Sequence, residues 1–319
     1  MDTRLRRGLA LALNLAVLAA FVYAVQHYWG WGRLLAPWRH LPLSVVALVV
    51  AGLLASYLIR ATRIYLAESR IPRGRLGQCL RLVLLNNAFN LLLPMRSGEA
   101  SFPLLMRRWF GIELGHATGV LIWLRLLDLH VLAAVGVVCA VAGWLGRNSI
   151  VADWAPLAAA LCVAAPVTLF VTRKPLARRL QGRNGRVAHL LLKALDGLPV
   201  SGRGLLRDLG LTWLSWTIKL AGLGWVLARL ADISPTMGVL GAIGGDLSTV
   251  LPIHAPGGFG TYEAGVLALL APASAPTPAL LAAAVDLHLL VLTTALLAAA
   301  VAWVAPGQRP ATINGRHTW

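Results

Sequence analysis

Long apolar runs separated by short basic stretches set the rhythm of this chain. One run extends from Gly8 to about Gln26, behind Arg4, Arg6 and Arg7, and a second from about Leu43 to Ile59. Others cover about His116 to Leu145, Trp154 to Val171, Leu209 to Leu230 and Ala279 to Val304. A helix needs about 20 residues to cross the hydrocarbon core, so these runs are six predicted spans. Two further apolar segments are shorter and interrupted. Leu82 to Leu93 breaks before Glu99 to Met106, and Thr236 to Leu251 breaks before Thr261 to Leu270. Each reads as a re-entrant hairpin of two half-helices, because irregular backbone at membrane depth must be enclosed by protein or line a cavity. The expected fold is an all-α polytopic membrane protein, one transmembrane domain over residues 1–319.

The two interrupted segments share a pattern. Asn86–Glu99 reads NNAFNLLLPMRSGE and Ser248–Glu263 reads STVLPIHAPGGFGTYE. Each runs apolar into Leu-Pro, breaks, and restarts at a small hydroxyl residue, Ser97 or Thr261, suited to cap a helix. Further on, RLLDLHVL at Arg125–Leu132 is matched by AAVDLHLL at Ala283–Leu290. Pro94 and Pro252 are 158 positions apart, as are Asp128 and Asp286. Two landmarks in one register indicate an internal duplication. The expected divisions are an N-terminal span and loop at 1–42, repeat 1 at 82–145, a basic loop at 173–207 and repeat 2 at 236–304.

Composition agrees with a membrane protein. Apolar residues make up 58% of the 319 and charged ones 13%, against about 25% in soluble domains. The net charge of +17 raises nucleic acid as a partner. The arginines, however, sit between the spans, where topology and anionic lipid account for them. Arg60, Arg63, Arg70, Arg73, Arg75 and Arg81 form one such group and Arg173–Arg207 another. Both are therefore expected on the cytoplasmic side, together with the two termini, in a bacterial inner membrane. The two repeats then have opposite orientations, as in many transporters. Val187 to Leu198 could lie as an amphipathic helix in the interface. Cys79, Cys139 and Cys162 are scattered in apolar runs and read as buried free thiols.

Charges inside the spans are the candidate chemistry, since each costs roughly 2.5–3.5 kcal/mol at the helix centre on insertion scales. Arg125 and Asp128 stand three apart on one helical face and can pair; the bland reading is a bridge that only fixes packing. Asp286 has Ala283 at the matching position and needs a partner elsewhere, with Lys219, Arg96 and Arg125 as candidates. Half-helix N-termini at the two breaks present free N–H groups to an anion, and Arg96 and His254 occupy those breaks. Glu99 and Glu263 either face the site or only cap their own half-helices. His130, Asp246, His288 and Lys219 are candidates for proton coupling. No catalytic motif, metal set or cofactor site stands out, and the chain is not expected to be an enzyme. An enzyme acting on lipid phosphates is the weakest reading.

These residues resemble the transmembrane (flippase) region of the lysylphosphatidylglycerol synthase family. The resemblance rests on Asn90, Pro94, Arg96, Gly98 and Glu99, on Arg125 and Asp128, and on Pro252, Pro256, Gly257, Gly258, Gly260 and Glu263. It covers roughly Ser44 to Val304 and implies a stand-alone member without the aminoacyltransferase domain. It also implies a lipid translocase whose cargo carries an anionic or phosphate-containing head group and whose lipid-synthesising enzyme is encoded separately. The alternative is a non-transporting scaffold that presents lipid to a glycosyltransferase or lipid-modifying enzyme. The combined candidate substrate-binding set is Asn90, Arg96, Ser97, Glu99, Arg125, Asp128, His254, Gly257, Gly258, Glu263 and Asp286.

Overall fold

The computed structural model describes residues 23, 26–27, 30–34, 36–93, 98–144, 150–181, 185–248, 256–271 and 278–304. The Gly8–Gln26 span falls almost wholly outside them. So do Arg96, Ser97, His254, the two Leu-Pro breaks and the C-terminal tail after Val304. The described residues are helical, with no strand among them. After a short helical turn at Trp31–Leu34 and a 3-10 turn at Ala36–His40, the helices are α1 (Leu43–Ala67), α2 (Leu76–Leu92), α3 (Ser101–Phe110), α4 (Leu114–Trp144) and α5 (Ile150–Gln181). They continue as α6 (Arg186–Asp196), α7 (Gly202–Ala231), α8 (Pro235–Ser248), α9 (Thr261–Leu270) and α10 (Pro278–Val304).

Four of these helices, α1, α4, α7 and α10, are long and apolar enough to cross a membrane. Their outer faces carry large apolar side chains in the open, among them Leu48, Leu54 and Leu58 on α1, Val138 and Val141 on α4, and Leu297 and Val301 on α10. Exposure on that scale suits a lipid surface rather than water. The opposite faces close the protein core, where α7 packs against α1, α4, α8 and α10. Leu53, Val131, Leu223, Leu227, Ile243, Val266 and Leu287 meet there.

The first interrupted segment folds back on itself. Asn86 Nδ2 donates to the Gly98 carbonyl at 3.4 Å and to Ser101 Oγ at 2.9 Å, tying the start of α3 to α2. Gly98 is required at this crossing, because a Cβ there would lie 2.3 Å from the Phe89 carbonyl. The second segment folds back through α8 and α9. A Cβ on Gly244 would lie 2.2 Å from the Gly265 carbonyl oxygen, and one on Gly245 2.4 Å from the Tyr262 ring. Small residues let helix backbones approach where lipid gives apolar contacts little extra drive. The 3-10 turn Pro256–Gly258, which leads into α9, rests on α2, so the two hairpins touch.

The structure corrects several local expectations. Helix α1 does not stop at Ile59 but continues to Ala67, which puts Arg60 and Arg63 on a helix within the fold rather than in a loop. The cause is a polar stripe, Ser56, Arg60 and Arg63, that meets a second stripe, Asp208, Thr212, Ser215 and Lys219, on α7. Arg63 donates to the Thr212 hydroxyl, and Ser215 Oγ donates to the Ser56 carbonyl at 3.2 Å. Thr261 is not a helix cap. Gly260, in the left-handed region at φ 81°, precedes the helix, and its N–H donates to Glu263 Oε2 at 2.7 Å. The Thr261 hydroxyl instead donates to the Gly258 carbonyl at 2.9 Å. Glu99 lies in a 3-10 turn ahead of α3 and not in its first α-turn. The amphipathic helix appears as α6, packed on α4, and Cys79 and Cys139 are buried free thiols.

Candidate functional site

Helices α1, α2, α4, α7, α8 and α10 enclose a cavity of about 480 Å³. Its polar side carries Tyr57 and Arg60 from α1, Arg125 and Asp128 from α4, Trp216 and Lys219 from α7, and Asp246 from α8, with Glu99 beside them. Its apolar side consists largely of α4 and α10 residues, including Leu121, Ile122, Leu129 and Val291. Ile122 is half exposed on the outer surface, at 51%, so the apolar wall continues onto the lipid-facing side of the molecule.

Asp128 is the hub of the charges. Its Oδ1 receives Arg63 Nη1 at 3.2 Å and the Trp216 indole N–H at 3.0 Å, while its Oδ2 receives Arg125 Nη1 at 3.4 Å. Arg125 also pairs with Glu99 through Nε at 2.9 Å. Arg63 is buried behind the cavity wall at 3% exposure; a charge removed from solvent this way needs its partners held in place. Deeper in the cavity, Lys219 Nζ lies 2.7 Å from Asp246 Oδ1. The Trp216 ring supports two cations, with the Arg60 guanidinium and the Lys219 ammonium each 4.8 Å from its centroid.

Of the residues expected from the sequence, the cavity brings together Asn90, Glu99, Arg125, Asp128, Lys219 and Asp246. The other described candidates lie elsewhere. His130 Nδ1 is 3.1 Å from the Val163 carbonyl oxygen, and its Nε2 accepts from the Trp213 indole. Glu263, besides receiving Gly260, lies 2.7 Å from His288 Nδ1, and His288 is held between the Tyr262 and Phe259 rings. Gly257 and Gly258 are buried on α2 and line no part of the cavity.

Asp286 does not pair with Lys219 or Arg125, both of which have carboxylates of their own. It is fully buried, and neither carboxylate oxygen has a close hydrogen-bond partner among the described residues; the Trp38 indole lies near enough to interact with it, and Arg96, the third candidate, lies outside the described residues. Tyr57, Arg60, Arg63, Asn87 and Trp216 are the site residues that sequence reasoning missed. For Arg60 and Arg63 the signal was present as the polar stripe at helical spacing on α1, facing the one on α7.

A second charged cluster closes the end of the bundle where α1, α4 and α6 meet. Glu68, just past α1, receives the His116 ring and the Arg70 N–H, and Arg70 Nη2 is 3.1 Å from Asp196 Oδ2. Burial pushes the Glu68 carboxyl up. The His116 and Arg70 hydrogen bonds outweigh it and hold the carboxyl below its ordinary range. The neighbouring Glu113 is exposed, and Lys193 at 2.9 Å holds it below its ordinary range too.

The sequence model of one family, described as "Lysylphosphatidylglycerol synthase TM region", matches residues 10–304. No curated protein and no solved structure matches the chain.

Proposed function

Since the chain belongs to the lysylphosphatidylglycerol synthase transmembrane-region family, we propose that it moves a lipid with an anionic, phosphate-containing head group between leaflets. The observation that carries this reading is the division of the cavity into a charged wall and an apolar wall that reaches the outer surface at Ile122. A lipid has the same division. The charged wall suits its head group, and the open apolar side lets the acyl or prenyl tails stay in the bilayer.

Depth supports the same reading. Arg207 Nη1 bonds the Leu66 carbonyl, which fixes α1 and α7 in register at the basic end. With a rise of about 1.5 Å per residue, Arg60 then lies roughly 9 Å, and Lys219 roughly 18 Å, below that level. The hydrocarbon core is about 30 Å thick, so the charges reach from one side to past its middle.

The wider mechanism is part of the proposal. Repeats 1 and 2 are inverted copies that move against each other, exposing the cavity to each leaflet in turn. The basic loop and both termini are cytoplasmic in a bacterial inner membrane, and a separately encoded enzyme supplies the lipid. The carboxylates, with His130 and His288, are the groups available for proton coupling.

Translocation is testable in proteoliposomes carrying a head-group fluorescent phosphatidylglycerol, with an impermeant reductant quenching the outer leaflet. Wild type should quench more than the half expected of protein-free vesicles. Arg125→Ala should fold and quench only that half, because Arg125 touches both Glu99 and Asp128 at the cavity. Wild-type vesicles that behave like empty ones would instead leave the scaffold as the better reading.

A further inference from the structure

Arg60 differs from every other described cation at the cavity. Arg125 faces Glu99 and Asp128, Lys219 faces Asp246, and Arg63 faces Asp128 from behind. Arg60 makes no ion pair and no hydrogen bond with a described residue, and its buried Nε is unsatisfied. Asp128 and Asp246 are within its electrostatic reach, but both are engaged by other cations. Its contact is the face of the Trp216 indole, which favours a cation while leaving the guanidinium edge, with its N–H donors, free. Trp216 in turn is fixed by its N–H to Asp128.

Position adds a second argument. Arg60 lines the cavity at its shallow end, on the side of the basic surface, while Lys219 lies about 9 Å deeper along the bundle. A cation with an unused donor edge, half enclosed beside an apolar wall, is an anion seat. A planar guanidinium matches a phosphate's paired oxygens, whereas a lone ammonium does not.

We infer that Arg60, stacked on Trp216, is the seat on which a lipid's phosphodiester group first docks. The inference rests on the translocase reading for its ligand class. The phosphodiester oxygens accept from the guanidinium edge, and the rest of the head group extends toward Lys219 and Asp246. Movement inward then means exchanging Arg60 for Lys219, with Asp246 released from its 2.7 Å contact.

Binding by the full-length protein in detergent tests this without requiring transport. The probes are dihexanoylphosphatidylglycerol, dihexanoylglycerol of the same tail length, and inorganic phosphate, titrated calorimetrically. Arg60→Gln should weaken the phosphatidylglycerol probe about 10- to 100-fold, the range of a lost charge-assisted pair. Arg60→Lys, which keeps charge but loses the planar fork, should fall between. Neither variant should change the weak binding of the uncharged probe. Equal affinity of wild type and both variants for the phosphatidylglycerol probe overturns the seat, as does no binding to wild type. If Arg60→Gln does not fold, Arg60→Lys decides. Inorganic phosphate binding as tightly as the lipid would make the seat one for a soluble anion and overturn the lipid assignment. Binding that depends on Arg60 in a protein that moves no lipid would keep the seat and remove the translocase reading.

Discussion

Asp128 and Asp286 stand in the same register of the two sequence repeats, yet their surroundings are opposites. Asp128 receives two arginines and an indole at the edge of a cavity. Asp286 is fully buried and pairs with no described cation. The glutamates diverge in the same way: Glu99 faces Arg125 at the cavity, while Glu263 is taken up by Gly260 and His288. The helices behind them differ too. Around the first hairpin, polar stripes hold helices around an open space. Around the second, Gly238, Gly241, Gly244 and Gly245 bring α8 against α7 and α9 with no room for a Cβ. The first occurrence of the pattern thus borders an open cavity, and the second lies in tightly packed helices.

The sharpest way to break this contrast is to neutralise each aspartate. Asp128→Asn leaves Arg63 buried with its charge half-answered, and removing one partner of a buried pair costs about 3–5 kcal/mol. Asp286→Asn takes a carboxyl from a buried site where no described cation holds it, so its effect should stay within about 1 kcal/mol. Thermal melts of the two variants in detergent measure the difference. Equal losses would mean that Asp286 has a partner as strong as Asp128's.

A smaller effect separates packing from open surface. Gly244→Ala forces a methyl group against the Gly265 carbonyl, and overpacking of this kind costs about 1–3 kcal/mol. Gly210→Ala on α7 meets nothing within 4 Å and lies exposed, so it should melt at or slightly above wild type. An unshifted melt for Gly244→Ala would show that α8 and α9 are not locked together.

How much of this was readable from the chain varied with the physics. Long apolar runs located the described long helices, because burial in lipid leaves a composition signal, but α1, α5 and α7 run well beyond the apolar stretch into basic sequence. The chain turns back at Gly98 and turns again at Pro256–Gly260, next to the two predicted breaks, whose prolines Pro94 and Pro252 lie outside the described residues. Arg60 and Arg63 were misplaced because a basic residue near a span end reads as a topology signal. Only the facing helices, α7 with Thr212 and Trp216 and α4 with Asp128, turn it inward. The surroundings of Asp286 were hidden for a similar reason: a shared sequence pattern says nothing of the partners on other helices.

The smallest expected effect is acid sensitivity at the Glu68 cluster. Glu68 is held below its ordinary value of about 4.3, so the folded state favours its charged form. The stabilisation is fully present above that ordinary value and is lost as pH falls through the lowered one. The gap in melting temperature between wild type and Glu68→Gln should therefore be larger at pH 5 than at pH 3. A gap that widens in acid would reverse the sign assigned to the His116 and Arg70 contacts. Glu113→Gln, at an exposed pair, should leave the melt unchanged.

The central claim is that a lipid head group occupies the first-hairpin cavity and not the second hairpin. Photo-crosslinking with a phosphatidylglycerol bearing a head-group diazirine, followed by peptide mapping, measures this directly. The account predicts labelled peptides containing Tyr57–Arg60, Asn87–Leu91, Leu121–Leu132 and Trp216–Lys219, with the label suppressed by excess unlabelled lipid. Labels concentrated on α9 or around His288, or spread only over the outer faces of α5 and α10, would contradict it.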